Sequence, residues 1–359
     1  MEAVFNMEIG ISTFVETTPD YKTGKTISHD LRIREVVEEI ILADEVGLDI
    51  YGVGEHHRKD FAASAPAIIL AAAASCTKNI RLTSAVTVLS SADPVRIFQD
   101  FATIDAISNG RAEIMVGRGS FTESFPLFGF SLQDYNELFE ENLELLLKIR
   151  ESEKVTWKGG HRPSINNLGI YPRSVQDPLP VWVGSGGNVD SVIRAGALGL
   201  PLCLAIIGGS PLQFEPLVSI YKKTAQQAGF NTESLGVASH SHGFVAKTTE
   251  EAVEKFYEPT KQVMNVLASE RGWLPYTRTT YDNARQLEGA LYVGDPKTVA
   301  EKIIFLRKNV GIKRFMMHLP LGTMAHNDVM EAIELLGKEV APLVKKEISR
   351  WEAEDNNLV

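Results

Sequence analysis

The chain has 359 residues, of which 44% are hydrophobic and 23% are charged. This is the composition of an ordinary globular protein, long enough for one large domain or two medium ones. Lys and Arg number 36 against 46 Asp and Glu, a formal net charge of -10. Because phosphate contacts need clustered Lys and Arg, this composition argues against nucleic-acid binding. A small anionic ligand is still compatible with it, if backbone amides and one or two arginines receive the ligand.

Cysteine usage and the apolar runs predict a cytoplasmic protein without membrane association. Cys76 and Cys203 lie far apart in apolar segments. We interpret both as small buried residues in a reducing compartment, not as a disulfide or a thiolate metal site. Residues 1–12 lack the basic start and apolar core of a signal peptide. The longest apolar run, residues 65–74, is too short to span a bilayer.

Short β-branched runs alternate with longer amphipathic stretches along the whole chain, which indicates strands and helices in turn. The predicted strands are 7–12, 49–54, 80–89, 112–117, 179–184, 201–207, 236–246 and 312–319. The predicted helices are 31–47, 64–75, 93–108, 133–150, 189–199, 211–229, 248–269, 295–311 and 328–348. Almost every strand is followed by a helix, and this alternation is typical of a parallel sheet covered by helices.

Eight strand–helix units in one chain favour an α/β protein of the (β/α)8 TIM-barrel type over an open sheet. No Gly-x-Gly-x-x-Gly follows the first strand, so the main sign of a dinucleotide-binding open sheet is missing. Residues 153–178 and 270–290 interrupt the alternation, and we expect these insertions to fold over the C-terminal face of the barrel as a lid. No linker is evident, so we predict a single domain over residues 1–359.

In a (β/α)8 barrel the active site is built from residues that follow the C-terminal ends of the strands. One of these segments, residues 54–60, has the sequence GEHHRKD and combines two carboxylates, two histidines, one arginine and one lysine. The complete set of candidate positions by this rule is Thr13, Phe14, 55–58, 90–93, 117–125, 184–188, 208–210 and 320–323.

Two of these loops have the chemistry of an anion site. Residues 184–188, GSGGN, join a strand to a helix, so unpaired amides at the helix N-terminus face the mouth of the barrel. Residues 117–120, GRGS, supply Arg118 as a bidentate phosphate partner between glycines that allow close approach. Each loop alone is equally typical of a tight turn with a helix cap.

The histidines raise the alternative of a metal site. His240 and His242 lie two residues apart on a predicted strand, so both rings lie on one face. With Glu55, a histidine of residues 54–60 and His318, they are candidate ligands of a metal-dependent hydrolase. However, the pair lies on the seventh strand, no aspartate closes the last strand, and no residue is placed to bridge two metals. We therefore predict no metal site.

The order and spacing of several motifs resemble the bacterial luciferase-like flavin monooxygenases. The motifs are VGEHH after the second strand, the segment from SAVTVL to GRGS over the third and fourth strands, PLPVWVGSGGN at the fifth, and VGDPKTVAEKI near the C-terminus. The resemblance covers nearly the whole chain and is most specific in residues 49–129 and 178–201. It implies a (β/α)8 barrel, in agreement with the alternation of the elements.

The resemblance also implies a cofactor site for reduced FMN, or for the deazaflavin F420, across the mouth of the barrel. Ala85 and Val86 match the family's non-proline cis peptide, which supports the flavin ring. Arg118 matches the phosphate-contacting arginine, and Gly119 and Ser120 pass close to the flavin. The second phosphate loop, one residue longer here than in luciferase, corresponds to Gly186, Gly187 and Asn188.

His56 matches the histidine proposed as an acid or base in the luciferase alpha subunit. We expect it to titrate near the ordinary histidine pKa and to move a proton in catalysis. Phe14, His57 and Phe121 are the predicted substrate-pocket residues. One departure is Gly117, which stands where luciferase has a reactive cysteine.

By this resemblance the function is that of a two-component, FMN-dependent monooxygenase acting on a small organic substrate with O2. A separate NAD(P)H:flavin reductase would supply the reduced FMN, and family members are commonly homodimers. Two alternatives stay open, an F420-dependent oxidoreductase on the same barrel and a flavin-binding protein without turnover. The sequence does not specify the substrate.

Overall fold

The computed structural model describes residues 7–356, which alternate between strands and helices. The strands are β1 (Glu8–Thr13), β2 (Ile50–Val53), β3 (Arg81–Ser84), β4 (Thr87–Val88), β5 (Ala112–Gly117), β6 (Lys154–Trp157), β7 (Ile165–Gly169), β8 (Val181–Ser185), β9 (Leu202–Ala205), β10 (Val237–Val245), β11 (Tyr292–Gly294) and β12 (Arg314–His318). The helices are α1 (His29–Glu45), α2 (Pro66–Cys76), α3 (Pro94–Ser108), α4 (Ser124–Phe128), α5 (Tyr135–Glu151), α6 (Val189–Ala197), α7 (Glu215–Gln227), α8 (Thr249–Arg271), α9 (Arg278–Ala284), α10 (Pro296–Val310), α11 (His326–Leu335) and α12 (Ala341–Asn356).

Eight strands form a closed parallel barrel. The order around it is β1, β2, β3, β5, β8, β9, β10 and β12. Strand β12 pairs back onto β1, with Glu8 opposite Arg314 and Ser12 opposite His318. Closure between the first and last strands confirms the predicted (β/α)8 barrel. The short β4 pairs with β5, and β11 pairs with the end of β10.

Local capping explains why the helices begin and end close to their predicted bounds. The Asp93 side chain accepts hydrogen bonds from the amides of Val95 and Arg96 at the start of α3. Asp295 caps α10 in the same way, and that helix ends at Gly311, whose φ of 78° suits glycine. Pro94 and Pro296 occupy first-turn positions that need no amide proton.

The apolar core has two parts. The larger part lies between the barrel and its surrounding helices. A smaller cluster fills the barrel itself and is formed by Ile50, Ala85, Met115, Trp182, Cys203, Ala238 and Met316. Cys203 is buried as predicted, but Cys76 is exposed at the C-terminal end of α2, so that part of the prediction was wrong. Within residues 7–356, no helix is long and apolar enough to cross a membrane.

The two interruptions of the pattern are more ordered than their composition suggests. Residues 153–178 contain the antiparallel hairpin β6–β7. Arg162 forms an ion pair with Asp93 at the start of α3, and Gln176 donates hydrogen bonds to Asp105 near the end of α3. The hairpin thus packs along the outside of the helices.

The interruption at residues 270–290 begins with the last two residues of α8 and contains α9. Of residues 153–178 and 270–290, only Arg271 lines the cavity described below. The expectation of a lid is therefore wrong for residues 153–178, none of which lines the cavity. Residues 270–290 reach the cavity at Arg271, so a lid in this segment stays a prediction.

Candidate active site

A cavity of about 480 Å³ opens among the loops at the C-terminal ends of the barrel strands. All eight barrel strands, or the loops after them, contribute residues to its lining. The predicted site residues that line it are Phe14, His56, His57, Ala85, Val86, Arg118, Gly119, Ser120, Phe121, Gly186 and Asn188. Gly187 does not line it. Its amide donates to Ser185 Oγ at 3.2 Å, and its φ of 103° fits a turn that requires glycine.

The peptide bond between Ala85 and Val86 is cis, as the resemblance implied. The predicted strand over 80–89 divides at this bond into β3 and β4. A Cβ atom on Gly117 would lie 2.6 Å from Val86 Cγ2, and one on Gly184 would lie 2.7 Å from Val86 Cγ1. The Val86 side chain therefore occupies the space that side chains at these two positions would need. This explains why Gly117, and no larger residue, stands here.

One end of the cavity carries a positive charge. The Arg118 guanidinium donates to Asn136 Oδ1 at 2.8 Å and lies 5.5 Å from the centre of the Tyr135 ring. Within residues 7–356, no carboxylate lies within ion-pair distance of it. Tyr135 also donates its hydroxyl to the Gly119 carbonyl at 2.6 Å, which fixes the loop after β5. The arrangement leaves the charge of Arg118 available to an anion.

The N-terminus of α6 lies at the same cavity. Asn188 caps this helix, and its Oδ1 accepts from the Ser191 amide at 3.0 Å. Ser185, Asn188 and Ser191 all line the cavity. The loop is thus a helix cap, as the simpler interpretation of the sequence had it, and it also presents a helix N-terminus to a ligand. The Oδ1 of Asn188 is already used, so any contact it makes with an anion would use its amide NH2.

His56 lies in an aromatic environment. The ring centres of Phe61, Phe14 and Phe121 are 4.4, 4.5 and 5.2 Å from its own. Its Nε2 is buried and has no hydrogen-bond partner among the described residues. Burial, together with repulsion from His318, lowers the pKa of His56 to about 3. The expectation of an ordinary pKa was therefore wrong, because an apolar environment disfavours the charged imidazolium.

His57 differs from its neighbour by having a fixed partner. Its Nε2 lies 2.8 Å from Glu55 Oε1, and Glu55 Oε2 accepts from the Val88 amide at 2.9 Å. Glu55 thus connects the loop after β2 to the segment that follows the cis peptide. The sequence placed Glu55 on the rim but did not reveal this role, because its partner Val88 is 33 positions away.

Arg58 lies beside the cavity, in contact with the lining residues Phe121 and Glu123. It forms ion pairs with Asp60 at 3.1 Å, Glu123 at 3.2 Å and Glu270 at 2.7 Å, and we call these four residues the Arg58 latch. Its guanidinium also lies 4.6 Å from the centre of the Phe121 ring. The latch joins the loop after β2 to the loop after β5 and to the end of α8.

Three further histidines, on β10 and β12, lie in contact with one another. His318 is buried between His240 and His242, with ring centres 5.2 and 5.3 Å apart, and its Nε2 lies 2.7 Å from Glu16 Oε1. Among residues 7–356, no three His, Cys, Asp or Glu side chains are placed to hold a metal ion. Glu16, Tyr135, Asn136 and Arg271 were not predicted as site residues, because each lies outside the segments that directly follow the predicted strands.

A family model described as luciferase-like monooxygenase matches residues 7–314. The chain belongs to the luciferase-like monooxygenase family. Members of this family use flavin or F420 as monooxygenases or oxidoreductases, so the predictions of the family and of an oxidoreductase enzyme are confirmed at that level.

Relatives of the luciferase-like protein include enzymes of both kinds. An F420-dependent glucose-6-phosphate dehydrogenase of Amycolatopsis mediterranei is 30% identical over 56% of this chain and 62% of its own length. An N-acetyl-S-alkylcysteine monooxygenase of Bacillus subtilis is 24% identical over 82% of this chain and 87% of its own. The fold matches that of the monooxygenase RslO1 from Streptomyces bottropensis with a TM-score of 0.82, at 22% identity over 94% of this chain and 99% of that one.

Proposed function

We propose that this protein is a two-component monooxygenase that uses reduced FMN and O2 to oxidise a small organic substrate. The observation that carries the proposal is a single cavity with an unpaired arginine and a helix N-terminus on one side and a buried aromatic and apolar interior on the other. When bound, reduced FMN would supply the electrons with which one atom of O2 is transferred to a substrate and the other is reduced to water.

The phosphate end of FMN fits the residues after β5 and β8. Arg118 offers a charge-assisted hydrogen bond, and the amides at the start of α6 favour an anion. Gly186 leaves open space, since a Cβ atom there would meet nothing within 4 Å. We assign phosphate and ribityl contacts to Arg118, Gly119 and Ser120. Further contacts are assigned to Gly186 and Asn188, with Gly187 shaping the turn.

The ring end of FMN fits the floor of the cavity. Ala85, Val86, Met115 and Met316 belong to the apolar cluster inside the barrel or pack against it, and all four line the cavity. Cys203 lies there too, and burial raises the pKa of its thiol to about 12, so it is an inert part of the floor. A flat aromatic group on this floor buries apolar surface without leaving a charge unpaired.

His56 is the residue to which we assign the catalytic role. Because its imidazole is neutral, it acts as a hydrogen-bond donor or acceptor at the reacting atoms, and its unpaired Nε2 is the atom available for this. Phe14 and Phe121 flank it and exclude water, while His57 stays bound to Glu55. Exclusion of water around the neutral imidazole prevents side reactions with water during catalysis.

A second candidate function is an F420-dependent oxidoreductase. Its support is the identity of 30% with an F420-dependent glucose-6-phosphate dehydrogenase, although that match spans 56% of this chain. In this case the same floor holds a deazaflavin and O2 takes no part. With the FMN monooxygenase we also propose a single domain, a separate flavin reductase as partner, a homodimer and a cytoplasmic location.

An anaerobic binding titration tests the cofactor assignment. We expect FMN to bind more tightly than F420, and the variant Arg118→Gln to lose about 10- to 100-fold in FMN affinity, the effect of a charge-assisted hydrogen bond. Riboflavin lacks the phosphate, so its affinity should be the same for wild type and variant. Tighter binding of F420 than of FMN would favour the second candidate. Binding of neither by the folded protein would refute both.

A further inference from the structure

One side of the cavity, formed by β10, β12, β1 and the segment after β1, carries three histidines. Phe14, His240, His242 and His318 lie on β1, β10 and β12 or directly after them, and we call them the histidine wall together with Glu16. In the barrel order β10, β12 and β1 are neighbours. Phe14, His240 and His242 line the cavity, whereas His318 and Glu16 are not among its lining residues. The interior of such barrels is usually filled by branched apolar side chains. Three histidines and a glutamate in this position therefore need a functional reason.

Several polar atoms of this wall lack a partner. His240 Nε2 and His318 Nδ1 are buried and have no hydrogen-bond partner among the described residues, and His56 Nε2 beside them is in the same state. The Phe14 ring connects the three, with ring centres 4.5 Å from His56, 5.7 Å from His240 and 4.3 Å from His318. Buried polar atoms are rarely left unpaired, so a ligand or an ordered water supplies their hydrogen bonds.

The charge state of the wall limits what this ligand can be. Burial and repulsion from His318 hold the pKa of His240 well below the ordinary value and lower that of His242 to about 3. His318 Nε2 lies 2.7 Å from Glu16 Oε1. Among the described residues, Glu16 is the only carboxylate in contact with any of the three rings. His240 and His242 thus offer neutral imidazoles to the cavity.

We propose that the histidine wall is a hydrogen-bonding subsite for an uncharged oxygen-bearing group of the substrate, a carbonyl or a hydroxyl, with His240 as the direct contact. This rests on the proposed function of the cavity and adds the substrate class. His318 and Glu16 are positioning residues, because their hydrogen bond fixes the ring against which His240 packs. A carboxylate is rejected, since burying its charge beside neutral rings carries a large desolvation cost.

Three probes of matched shape test the subsite on the FMN-loaded protein. They are cyclohexanone, methylenecyclohexane, in which a CH2 group replaces the ketone oxygen, and cyclohexanecarboxylate. Binding is followed by the change in flavin absorbance. We expect the ratio of ketone affinity to alkene affinity to fall about tenfold in His240→Leu, the effect of one lost hydrogen bond, and to be largely retained in His240→Gln. In wild type the carboxylate should bind at least about tenfold more weakly than the ketone.

Each variant is also titrated with FMN, and its thermal unfolding is measured, so that misfolding is recognised. The matched control is His161→Leu, a histidine at the tip of the outer hairpin, which should leave the ratio unchanged. A ratio that is the same in His240→Leu as in wild type, a carboxylate that binds as well as the ketone, or a wild type that binds neither ketone nor alkene would overturn the subsite. If FMN itself fails to bind, the same ratio is measured by NMR on flavin-free protein, which separates this proposal from the cofactor assignment.

Discussion

Burial, more than residue type, decides what each histidine of this protein can do. His56 is enclosed by three phenylalanine rings, and its pKa falls to about 3. His326 lies near the surface, where the nearby carboxylates of Glu39 and Glu38 raise its pKa. The same side chain is therefore a neutral hydrogen-bonding group in the cavity and a readily charged group outside it.

We expect His56 to stay neutral when the pH is lowered through about 6.5, the ordinary histidine value, while His326 becomes protonated above that value. Because the unfolded chain takes up the His56 proton first, His56 should reduce stability as the pH falls below about 6.5. Imidazole 15N NMR across a pH series measures both residues, with His56→Gln and His326→Gln used to assign the signals. A His56 signal that titrates with the ordinary midpoint would contradict the assignment of a neutral imidazole.

At the scale of the elements, three segments distant in sequence are joined at the mouth of the cavity by the Arg58 latch. Partly exposed ion pairs contribute at most about 1 kcal/mol each, but here three carboxylates share one guanidinium that is 17% exposed. Ion pairs of this strength do not determine the stability of the fold, but they can shift the conformational equilibrium of a loop. We interpret it as a device that keeps the mouth closed.

The variant Arg58→Ala should release bound FMN faster than wild type, by about three- to tenfold for ion pairs of this exposure. High salt should accelerate release from wild type in the same direction, because it screens exposed charges. Stopped-flow fluorescence measures the rate. The control is Arg34→Ala, which removes an exposed pair with Asp30 on α1 and should not alter release. Equal rates for Arg58→Ala and wild type would show that the latch does not gate the cavity.

At the scale of the whole molecule, an ion-pair network ties the barrel together below the cavity. Arg314 on β12 binds Glu113 on β5 at 2.7 Å and Glu8 on β1 at 2.6 Å, and Arg81 on β3 also binds Glu113. Burial alone would raise the pKa of Glu113, but the guanidinium groups of Arg314 and Arg81 outweigh it and lower the pKa. The network thus connects strands from across the barrel, including the first and the last.

Replacement of Glu113 by Gln should lower the free energy of unfolding by about 3 to 5 kcal/mol, because it removes the buried carboxylate that Arg314 and Arg81 share and leaves Arg314 with Glu8 alone. Urea unfolding monitored by circular dichroism measures this, and FMN affinity should change little. The exposed Glu301→Gln, from a pair with Lys297, is the control. Since the folded pKa of Glu113 is depressed, its contribution is present above about pH 4.3 and is lost at lower pH. An acid-unfolding profile shared by Glu113→Gln and wild type would count against this role.

The alternation of strands and helices was enough to predict the barrel. The barrel in turn predicted which segments, those after the C-terminal ends of the strands, surround the cavity. Hydrophobic periodicity is local, and parallel strands with intervening helices have few ways to close. The segment GEHHRKD was therefore placed correctly at the exit of β2, and eleven of twelve predicted site residues line one cavity. Their roles in cofactor and substrate binding stay predictions that the titrations above address.

Tertiary structure alone decided the chemistry of that rim. Desolvation is the main reason that His56 has a pKa of about 3, and burial of this kind is not visible in the sequence around it. Glu16 and His318 are 302 positions apart and share a hydrogen bond only because β12 closes onto β1. Sequence patterns report which side chains point towards the mouth of a barrel. Charge states and partners depend on distances and burial that exist only after the chain has folded, because electrostatic energies depend on separation and on the surrounding medium.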